Sequence, residues 1–305
     1  MKGSPQDYMH VGIVHYMVFP KLMSGRGPLC ETLGLLCDDD YFQAVEVTAF
    51  RDEVERKEAA VLAEQARKRV IFGAQPVIVR RGLDLHDDRP HERTRALDLV
   101  KEALSEATEW HAEAFEVMSG PDPGEVGRED AREKLKGALK EICETSRVTN
   151  GPPVLLESYD RWTHGRNCLI GPTREARSVA HHVACYFPLF GLTLDLGHLP
   201  LLNEDPTEAV KMAAPYLKHV HIGNCVKSFP DHPAYGDEHP TFGTESGANT
   251  LDDVALFLRA LLGVGYIRPG GTNIVSIEMK PYGDQTEQDV LDNAKGALDA
   301  AWRRL

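Results

Sequence analysis

The sequence predicts an α/β protein that folds as a single (β/α)8 barrel. Short β-branched or apolar segments alternate with longer segments of helical spacing, and this alternation repeats eight times without a break in composition. A doubly wound open sheet is the competing architecture, but the first predicted strand lacks the Gly-rich turn of a dinucleotide-binding fold. We therefore expect residues 1–305 to form one barrel domain.

Eight segments have the length and composition of buried strands. In chain order they are residues 11–15, 44–48, 70–74, 114–118, 153–157, 192–195, 219–222 and 273–278.

The predicted helices between these strands have apolar residues at three- and four-residue spacing. They cover residues 92–111, 128–145 and 173–187, a segment after the N-cap pair Asp205-Pro206, and residues 250–262 and 286–304. The last two begin at Thr250 and Thr286, each followed three residues later by Asp, which is an approximate capping box. Residues 223–249 form the longest segment without regular pattern, and we expect this loop to cover the catalytic face after strand seven.

The charge balance excludes several classes of partner. Asp and Glu number 47 against 34 Lys and Arg, and the net charge of −13 opposes both a nucleic-acid groove and an anionic membrane surface. Apolar runs stay well short of the ~20 residues that a membrane helix needs. The six cysteines form no C-x-x-C pair, and the first residues lack the apolar core of a signal peptide. We expect a cytoplasmic enzyme with reduced thiols.

Carboxylates and imidazoles cluster at the predicted strand ends. Strand five ends in Glu157, strand six in Asp195 with His198 three residues on, strand seven carries His219 and His221, and strand eight ends in Glu278. Because a barrel places its catalytic groups at the carboxyl ends of its strands, these side chains are expected at one rim.

Three converging carboxylates repel one another unless a cation lies between them. Of the two strand-seven histidines, which share a face, only His221 is near enough to the carboxyl end to reach the rim, so His219 is expected one layer deeper. The predicted ligands of a divalent cation are therefore Glu157, Asp195, His221 and Glu278. Mixed oxygen and nitrogen ligation favours Mn²⁺, with Mg²⁺, Co²⁺, Fe²⁺ or Zn²⁺ as alternatives.

The order Glu157, Asp195-x-x-His198, His221, Glu278 resembles the xylose-isomerase-like TIM-barrel superfamily, which includes sugar isomerases, ketose 3-epimerases, inosose dehydratases and endonuclease IV. The resemblance runs from VEVTAF at Val45 onward. It implies that Glu157 and Glu278 bind the metal and also exchange the substrate proton. It further implies that His198 holds a substrate oxygen. Lys227 stands where the epimerases carry a substrate-binding arginine, whose bidentate contact a lysine cannot make.

His164 marks a second departure from the epimerases, which carry an acidic residue in this region. Its place seven residues after Glu157, the IGP at 170–172 and the loop from Tyr235 resemble the α subunits of C-glycoside deglycosidases. These enzymes cleave the carbon–carbon bond between sugar and aglycone in 3-oxo-glycosides. The resemblance implies that His164 assists proton transfer, although a solvated loop position is the alternative. It also implies a small β subunit in a hetero-oligomer, whereas a simple epimerase is expected to be a homo-oligomer.

Several interpretations compete at this point. Carbon–carbon cleavage of a C-glycoside is our specific expectation, and isomerisation or 3-epimerisation of a free sugar is the alternative. Endonuclease IV-like phosphodiester hydrolysis needs additional His and Asp ligands and a basic DNA-binding face, which the net charge opposes. His15 ends strand one and either binds substrate in the pocket or packs in the barrel. Asp237 and His239 suggest a second metal, but stabilisation of their loop is expected.

Overall fold

Eight parallel strands pair in chain order, and the eighth pairs with the first to close a barrel. The computed structural model describes residues 3–162 and 165–305. Its strands are β1 (His10–Val14), β2 (Ala44–Thr48), β3 (Arg69–Gly73), β4 (Ala114–Met118), β5 (Val154–Glu157), β6 (Gly191–Asp195), β7 (Leu217–Gly223) and β8 (Ile274–Glu278). The predicted fold class is confirmed, and the open sheet is excluded by the pairing of β1 with β8.

The helices lie between the strands along the chain. They are α1 (His15–Val18), α2 (Leu29–Cys37), α3 (Glu53–Gln65), α4 (Gln75–Arg81), α5 (Pro90–Glu109), α6 (Arg128–Val148), α7 (Thr173–Ala184), α8 (Leu199–Leu202), α9 (Pro206–Ala213), α10 (Leu251–Gly263) and α11 (Glu287–Trp302). Among the helices that the structure describes, none has the length and apolar character needed to cross a membrane.

The first four helices were not predicted from the sequence. In α3 only two residues, Ala59 and Ala63, are buried, so this helix has almost no apolar stripe that a periodicity argument can detect. Helices α1 and α4 are short, and their apolar residues merge with those of the preceding strands. The later helices have broader buried faces, as in α6, and the sequence pattern shows them clearly.

The two faces of each strand have different partners. Alternate residues point outward and join the main apolar core with the helices, as do Val45 and Val47 of β2 and Phe115 and Val117 of β4. At the amino end of the barrel the inward-facing residues are apolar and form a separate small cluster of Ala44, Ile71, Ala114, Leu155 and Ile274. The outward face of each strand therefore packs against the helices, and the inward face is left for side chains inside the barrel.

Toward the carboxyl end the inward-facing side chains become polar. Glu46 of β2, Glu116 of β4 and Thr193 of β6 are all buried there, and so are His219 and His221 of β7. Glu46 and Glu116 each follow an alanine of the small apolar cluster, Ala44 and Ala114, by two positions, so the pleat places these glutamates directly above that cluster. The barrel interior is thus apolar at one end and ionisable at the other.

The capping pattern of the last two helices is confirmed. The hydroxyl of Thr250 bonds the backbone of Asp253, whose carboxylate accepts from the Thr250 backbone, and Thr286 and Asp289 form the same reciprocal pair. The Asp205 carboxylate accepts from two backbone amides at the start of α9, with Pro206 in the first turn.

We predict that Thr286→Ala lowers the free energy of unfolding by about 1 kcal/mol, because two hydrogen bonds at the start of α11 are lost. Urea denaturation followed by circular dichroism measures the effect. Thr286→Ser keeps the hydroxyl and is the matched control, with a midpoint close to that of the wild type. An equal loss in both variants would show that packing of the Thr methyl group, and not the cap, stabilises this helix.

Candidate active site and metal centre

Four side chains from adjacent strands meet at the carboxyl end of the barrel. Glu157 of β5, Asp195 of β6, His221 of β7 and Glu278 of β8 each offer a ligand atom, and these atoms all lie within 4.8 Å of one another. Nδ1 of His221 lies 3.2 Å from Oε1 of Glu157 and 2.9 Å from Oε2 of Glu278. The structure therefore brings together the four residues that the sequence predicted as metal ligands.

Two carboxylate oxygens of this donor set have room for a further partner, which fits a divalent cation. Oδ2 of Asp195 and Oε2 of Glu278 are buried and accept no well-aligned hydrogen bond within residues 3–162 and 165–305. They do lie near imidazole nitrogens, Oδ2 of Asp195 at 3.2 Å from Nε2 of His198 and Oε2 of Glu278 at 2.9 Å from Nδ1 of His221. A buried carboxylate oxygen without a partner carries a large desolvation cost, which a cation offsets. Three carboxylates and one imidazole are ligands that Mn²⁺, Mg²⁺, Co²⁺ and Zn²⁺ accept.

The two glutamates of the set have different surroundings. Burial raises the pKa of Glu157, but hydrogen bonds from His221 and Tyr159 outweigh it and leave that pKa below its ordinary value. Burial also raises the pKa of Glu278, and the nearby His239 and His221 offset this only in part, so its pKa stays above the ordinary value. Oε2 of Glu157 accepts from the Tyr159 hydroxyl at 2.6 Å and from Nε2 of Gln75 at 2.8 Å.

A cavity of about 400 Å³ opens above this cluster. Glu278 borders the cavity, with 10% of its side chain exposed, whereas Glu157, Asp195 and His221 are at most 1% exposed beneath it. The polar part of the lining includes Tyr16, Gln75, Tyr159, Arg166, Asp237, His239 and Lys280. The apolar part of the lining consists of Met17, Pro20, Met23, Pro76 and Val79.

His198 lies beside the cluster, but both of its ring nitrogens already have protein partners. Nδ1 donates to the backbone carbonyl of Ser158 at 2.8 Å, and Nε2 lies 3.0 Å from Oδ1 of Asp237 and 3.2 Å from Oδ2 of Asp195. The ring also lies against that of Tyr159, with the centroids 4.4 Å apart and the planes tilted by 37°. Burial lowers the pKa of His198, but Asp195 and Asp237 outweigh it and leave that pKa well above its ordinary value.

The loop after β7 supplies two cavity residues, for which the sequence favoured loop stability over a second metal site. Oδ1 of Asp237 lies 2.7 Å from Nε2 of His239, and both side chains line the cavity. Gly223 at the end of β7 makes room for them, because a Cβ at that position would lie 2.7 Å from Nδ1 of His239. Burial lowers the pKa of His239, but Glu278 and Asp237 raise it to about 9.

A second ionisable cluster lies one layer below the predicted ligands. Nε2 of His219 lies 2.6 Å from Oε1 of Glu46, and Oε1 of Glu116 accepts from the Thr193 hydroxyl at 2.5 Å. The structure thus places His219 in the deeper layer, as the strand period indicated. The sequence signal for Glu46 and Glu116 is a lone glutamate at the centre of an apolar strand, in AVEVT and AFEVM.

Two residues predicted to bind substrate, His15 and Lys227, are not among the residues that line the cavity. The strand β1 ends at Val14, one residue earlier than expected, so His15 begins α1 and turns toward α2, where its Nε2 lies 2.9 Å from the hydroxyl of Thr32. Of the two alternatives for His15, binding substrate in the pocket or packing in the barrel, this buried contact fits packing. The ammonium of Lys227 donates to the Pro200 carbonyl and to Oδ1 of Asn203 at the end of α8. Lys227 therefore holds that short helix and does not take the position of a substrate-binding cation.

His164, which we predicted to assist proton transfer, lies outside the described residues. The chain on its carboxyl-terminal side is fixed by Asp160, whose carboxylate accepts from the backbone amides of Arg166 and Asn167. Nε of Arg166 in turn donates to Oδ2 of Asp237 at 3.2 Å. This segment is therefore connected to the cavity residues of the β7 loop.

Residues 37–300 match the family model described as a xylose isomerase-like TIM barrel. The chain belongs to this family. A search of curated protein sequences finds no significant match.

Several solved structures share its fold, among them two whose names refer to sugar epimerases. A D-tagatose 3-epimerase-like protein is 18% identical with a TM-score of 0.72, over 97% of this chain and 99% of the other. An IolI protein with a bound zinc atom is 15% identical with a TM-score of 0.72, over 97% and 99%. The 3-keto-D-glucoside 4-epimerase from E. coli is 14% identical with a TM-score of 0.62, over 95% and 98%. At these identities the likeness shows the fold alone, and function must be argued from the site.

We predict that His15 makes the protein less stable as the pH falls. Burial lowers its pKa to about 3, so the unfolded chain binds a proton near pH 6.5 that the folded chain does not, and stability falls as the pH drops through that value toward 3. Between pH 7 and pH 5 the loss amounts to about 2 kcal/mol. His15→Gln keeps a donor toward Thr32 and does not titrate, so urea denaturation of this variant is expected to lack that loss.

The matched control is His91→Gln, since His91 has 76% of its side chain exposed. Its pH dependence is expected to follow the wild type. An unchanged pH dependence in His15→Gln would show that His15 does not contribute to acid destabilisation.

Proposed function

We propose that this protein is a divalent-metal-dependent enzyme that moves a proton at the carbon beside the carbonyl of a keto sugar or keto-sugar conjugate. The observation that carries the proposal is the convergence of Glu157, Asp195, His221 and Glu278 beneath a cavity that Glu278 borders. The sugar epimerases among its structural neighbours support this reaction class. Isomerisation and epimerisation are the outcomes that need only these groups.

We propose Mn²⁺ as the ion, with Mg²⁺, Co²⁺ and Zn²⁺ as alternatives, and Glu157, Asp195, His221 and Glu278 as its ligands. The zinc atom in the IolI protein supports a divalent metal in this fold. A bound divalent cation would supply a Lewis acid that polarises the substrate carbonyl, which makes the neighbouring C–H bond acidic enough for a carboxylate base.

The proton-transfer roles are assigned from access to the cavity. Glu278 borders the cavity and keeps 10% of its side chain exposed, so it is placed to exchange a proton with a bound substrate. Glu157 lies deeper and is held by Tyr159 and Gln75, which keep its carboxylate in one orientation. Return of the proton to the same carbon from the opposite face gives an epimer, whereas return to the carbonyl carbon gives an isomer.

The substrate contacts differ from those that the family resemblance implies. His198 donates from both ring nitrogens to protein oxygens, so it orients Asp237 and Tyr159 in place of binding a sugar oxygen. Asp237, Arg166 and His239 line the cavity, and we assign to them the substrate contacts that the family resemblance implies for His198 and Lys227. Hydroxyl groups of a sugar match this mixture of charged donors and acceptors.

A second candidate function is carbon–carbon cleavage of a 3-oxo-C-glycoside. The observation that favours it is the apolar wall of Met17, Pro20, Met23, Pro76 and Val79, which gives a conjugate's aglycone an apolar surface that a free sugar does not need. In this reaction the proton beside the carbonyl is lost and the bond to the aglycone breaks. The sugar keeps a new C=C bond, and the departing carbon takes up a proton. His164 as proton donor and a small β subunit as partner belong to this proposal.

We predict that proton exchange requires both the metal and Glu278. Incubation with a panel of ketoses in D₂O, followed by NMR, is expected to show loss of the C–H signal with Mn²⁺ and none after treatment with a chelator. Glu278→Gln is expected to lower the exchange rate by on the order of 10²- to 10⁴-fold, because an amide cannot accept the proton. Glu208→Gln, on the exposed side of α9, is the matched control with wild-type exchange. Full activity without metal would overturn the proposal.

The choice between epimerisation and cleavage is tested by the substrate. If the enzyme is a lyase, an aromatic 3-oxo-C-glycoside releases its aglycone when the purified chain is combined with a small β subunit, and free ketoses stay unchanged. His164→Ala is then expected to lower the cleavage rate by on the order of 10²-fold or more. Trp162→Ala, at an exposed position two residues away, is the matched control. Conversion of free ketoses by the chain alone would contradict the lyase proposal.

A further inference from the structure

His221 is enclosed by carboxylates on both sides of its ring. Nδ1 faces the predicted ligand set, at 3.2 Å from Oε1 of Glu157 and 2.9 Å from Oε2 of Glu278. Nε2 points into the barrel and lies 3.2 Å and 3.1 Å from the two carboxylate oxygens of Glu46. The residues on the two sides of the ring come from different strands, so the orientation of the ring depends on the carboxylates of both sides.

Glu46 is itself fixed in one position. Its side chain is fully buried at the centre of β2, and Oε1 also accepts a hydrogen bond from His219 at 2.6 Å. A divalent cation in the ligand set would bind the lone pair of Nδ1, so the single ring proton of a metal-bound His221 would lie on Nε2. Glu46 faces Nε2, and its ionised carboxylate can only accept that hydrogen bond.

We propose that Glu46 is the positioning residue that fixes the tautomer and the ring orientation of His221 for metal binding. The inference rests on the proposed metal centre and adds a residue from β2, on the far side of the barrel, to it. Metal-binding histidines commonly donate their second N–H to a carboxylate, and loss of that partner weakens metal affinity by roughly 10- to 100-fold. Glu46 acts through His221 and does not reach the cavity.

An alternative use of the same residues is a second cation held by Glu46, Glu116, His219 and His221, whose ligand atoms also lie within 4.8 Å of one another. Two observations oppose it. The hydrogen bonds from His219 to Glu46 and from Thr193 to Glu116 already occupy oxygens of both carboxylates. A cation at each side of His221 would also require its ring to lose both protons. The number of ions bound per chain separates the two explanations.

The test compares Glu46→Gln with a matched variant, Glu116→Gln. Oε2 of Glu116 lies 3.7 Å from Nε2 of His221, beyond hydrogen-bond distance, so its replacement leaves the ring orientation unchanged. Calorimetric titration of the full chain with Mn²⁺ is expected to give one ion per chain in all three proteins. The dissociation constant is expected to rise about 10- to 100-fold in Glu46→Gln and less than about 3-fold in Glu116→Gln.

A spectroscopic readout separates positioning from general destabilisation. In the Co²⁺-loaded protein, the visible absorption bands are expected to shift in Glu46→Gln and to match the wild type in Glu116→Gln. Circular dichroism and the Tm of the metal-free proteins report the fold. If Glu46→Gln does not fold, Glu46→Asp keeps the charge on a shorter side chain and is expected to weaken Mn²⁺ binding by an intermediate factor.

The possible results of these measurements separate the positioning role of Glu46 from the metal centre itself. Wild-type affinity and an unchanged Co²⁺ spectrum in a folded Glu46 variant would overturn the positioning role and leave the metal centre intact. Two ions in the wild type and one in Glu46→Gln would overturn it in favour of a second cation. Absence of Mn²⁺ and Co²⁺ binding by the wild type would overturn the proposed function together with this inference.

Discussion

The arrangement of the active site depends on how charges are compensated inside a closed barrel. Six carboxyl groups and four imidazoles are buried at one end of the barrel, namely those of Glu46, Glu116, Glu157, Asp195, Asp237, Glu278, His198, His219, His221 and His239. Burial of so many ionisable groups is costly unless each finds an opposite charge or a hydrogen bond. Most are paired within the protein, and the oxygens left unpaired belong to Asp195 and Glu278, where a cation is proposed.

The apolar packing of the helices against the barrel offsets the energetic cost of this polar interior. The outward faces of the strands join one continuous core with the helices, so the stability of the barrel does not depend on its inner face. The inner face is consequently free to carry glutamates and histidines in layers. The lower layer, with Glu46 and His219, supports the upper layer through His221, and the loop after β7 adds Asp237 and His239 from above.

Some site residues were predictable and others were not, for reasons that the geometry makes clear. The four predicted ligands follow from two local rules, the alternation of strand faces and the common level of strand ends. The place of His15 was left open because a strand end that shifts by one residue changes the direction of the side chain. Lys227 contacts the end of α8 because an analogy of position does not determine which partner a long side chain reaches. Asp237 and His239 lie in a loop without periodicity, so their place at the cavity had no local signature.

The sequence by itself indicated the order of the strands, the strand face on which His219 and His221 lie and the four strand-end residues proposed as ligands, because these depend on residues close together in the chain. Only the tertiary structure decided which layers face one another across the barrel. Glu46 and His221 are 175 residues apart, and their hydrogen bond exists because closure of the barrel brings β2 and β7 to the same level. That level is set by the stagger of all eight strands together, which no single segment of sequence encodes.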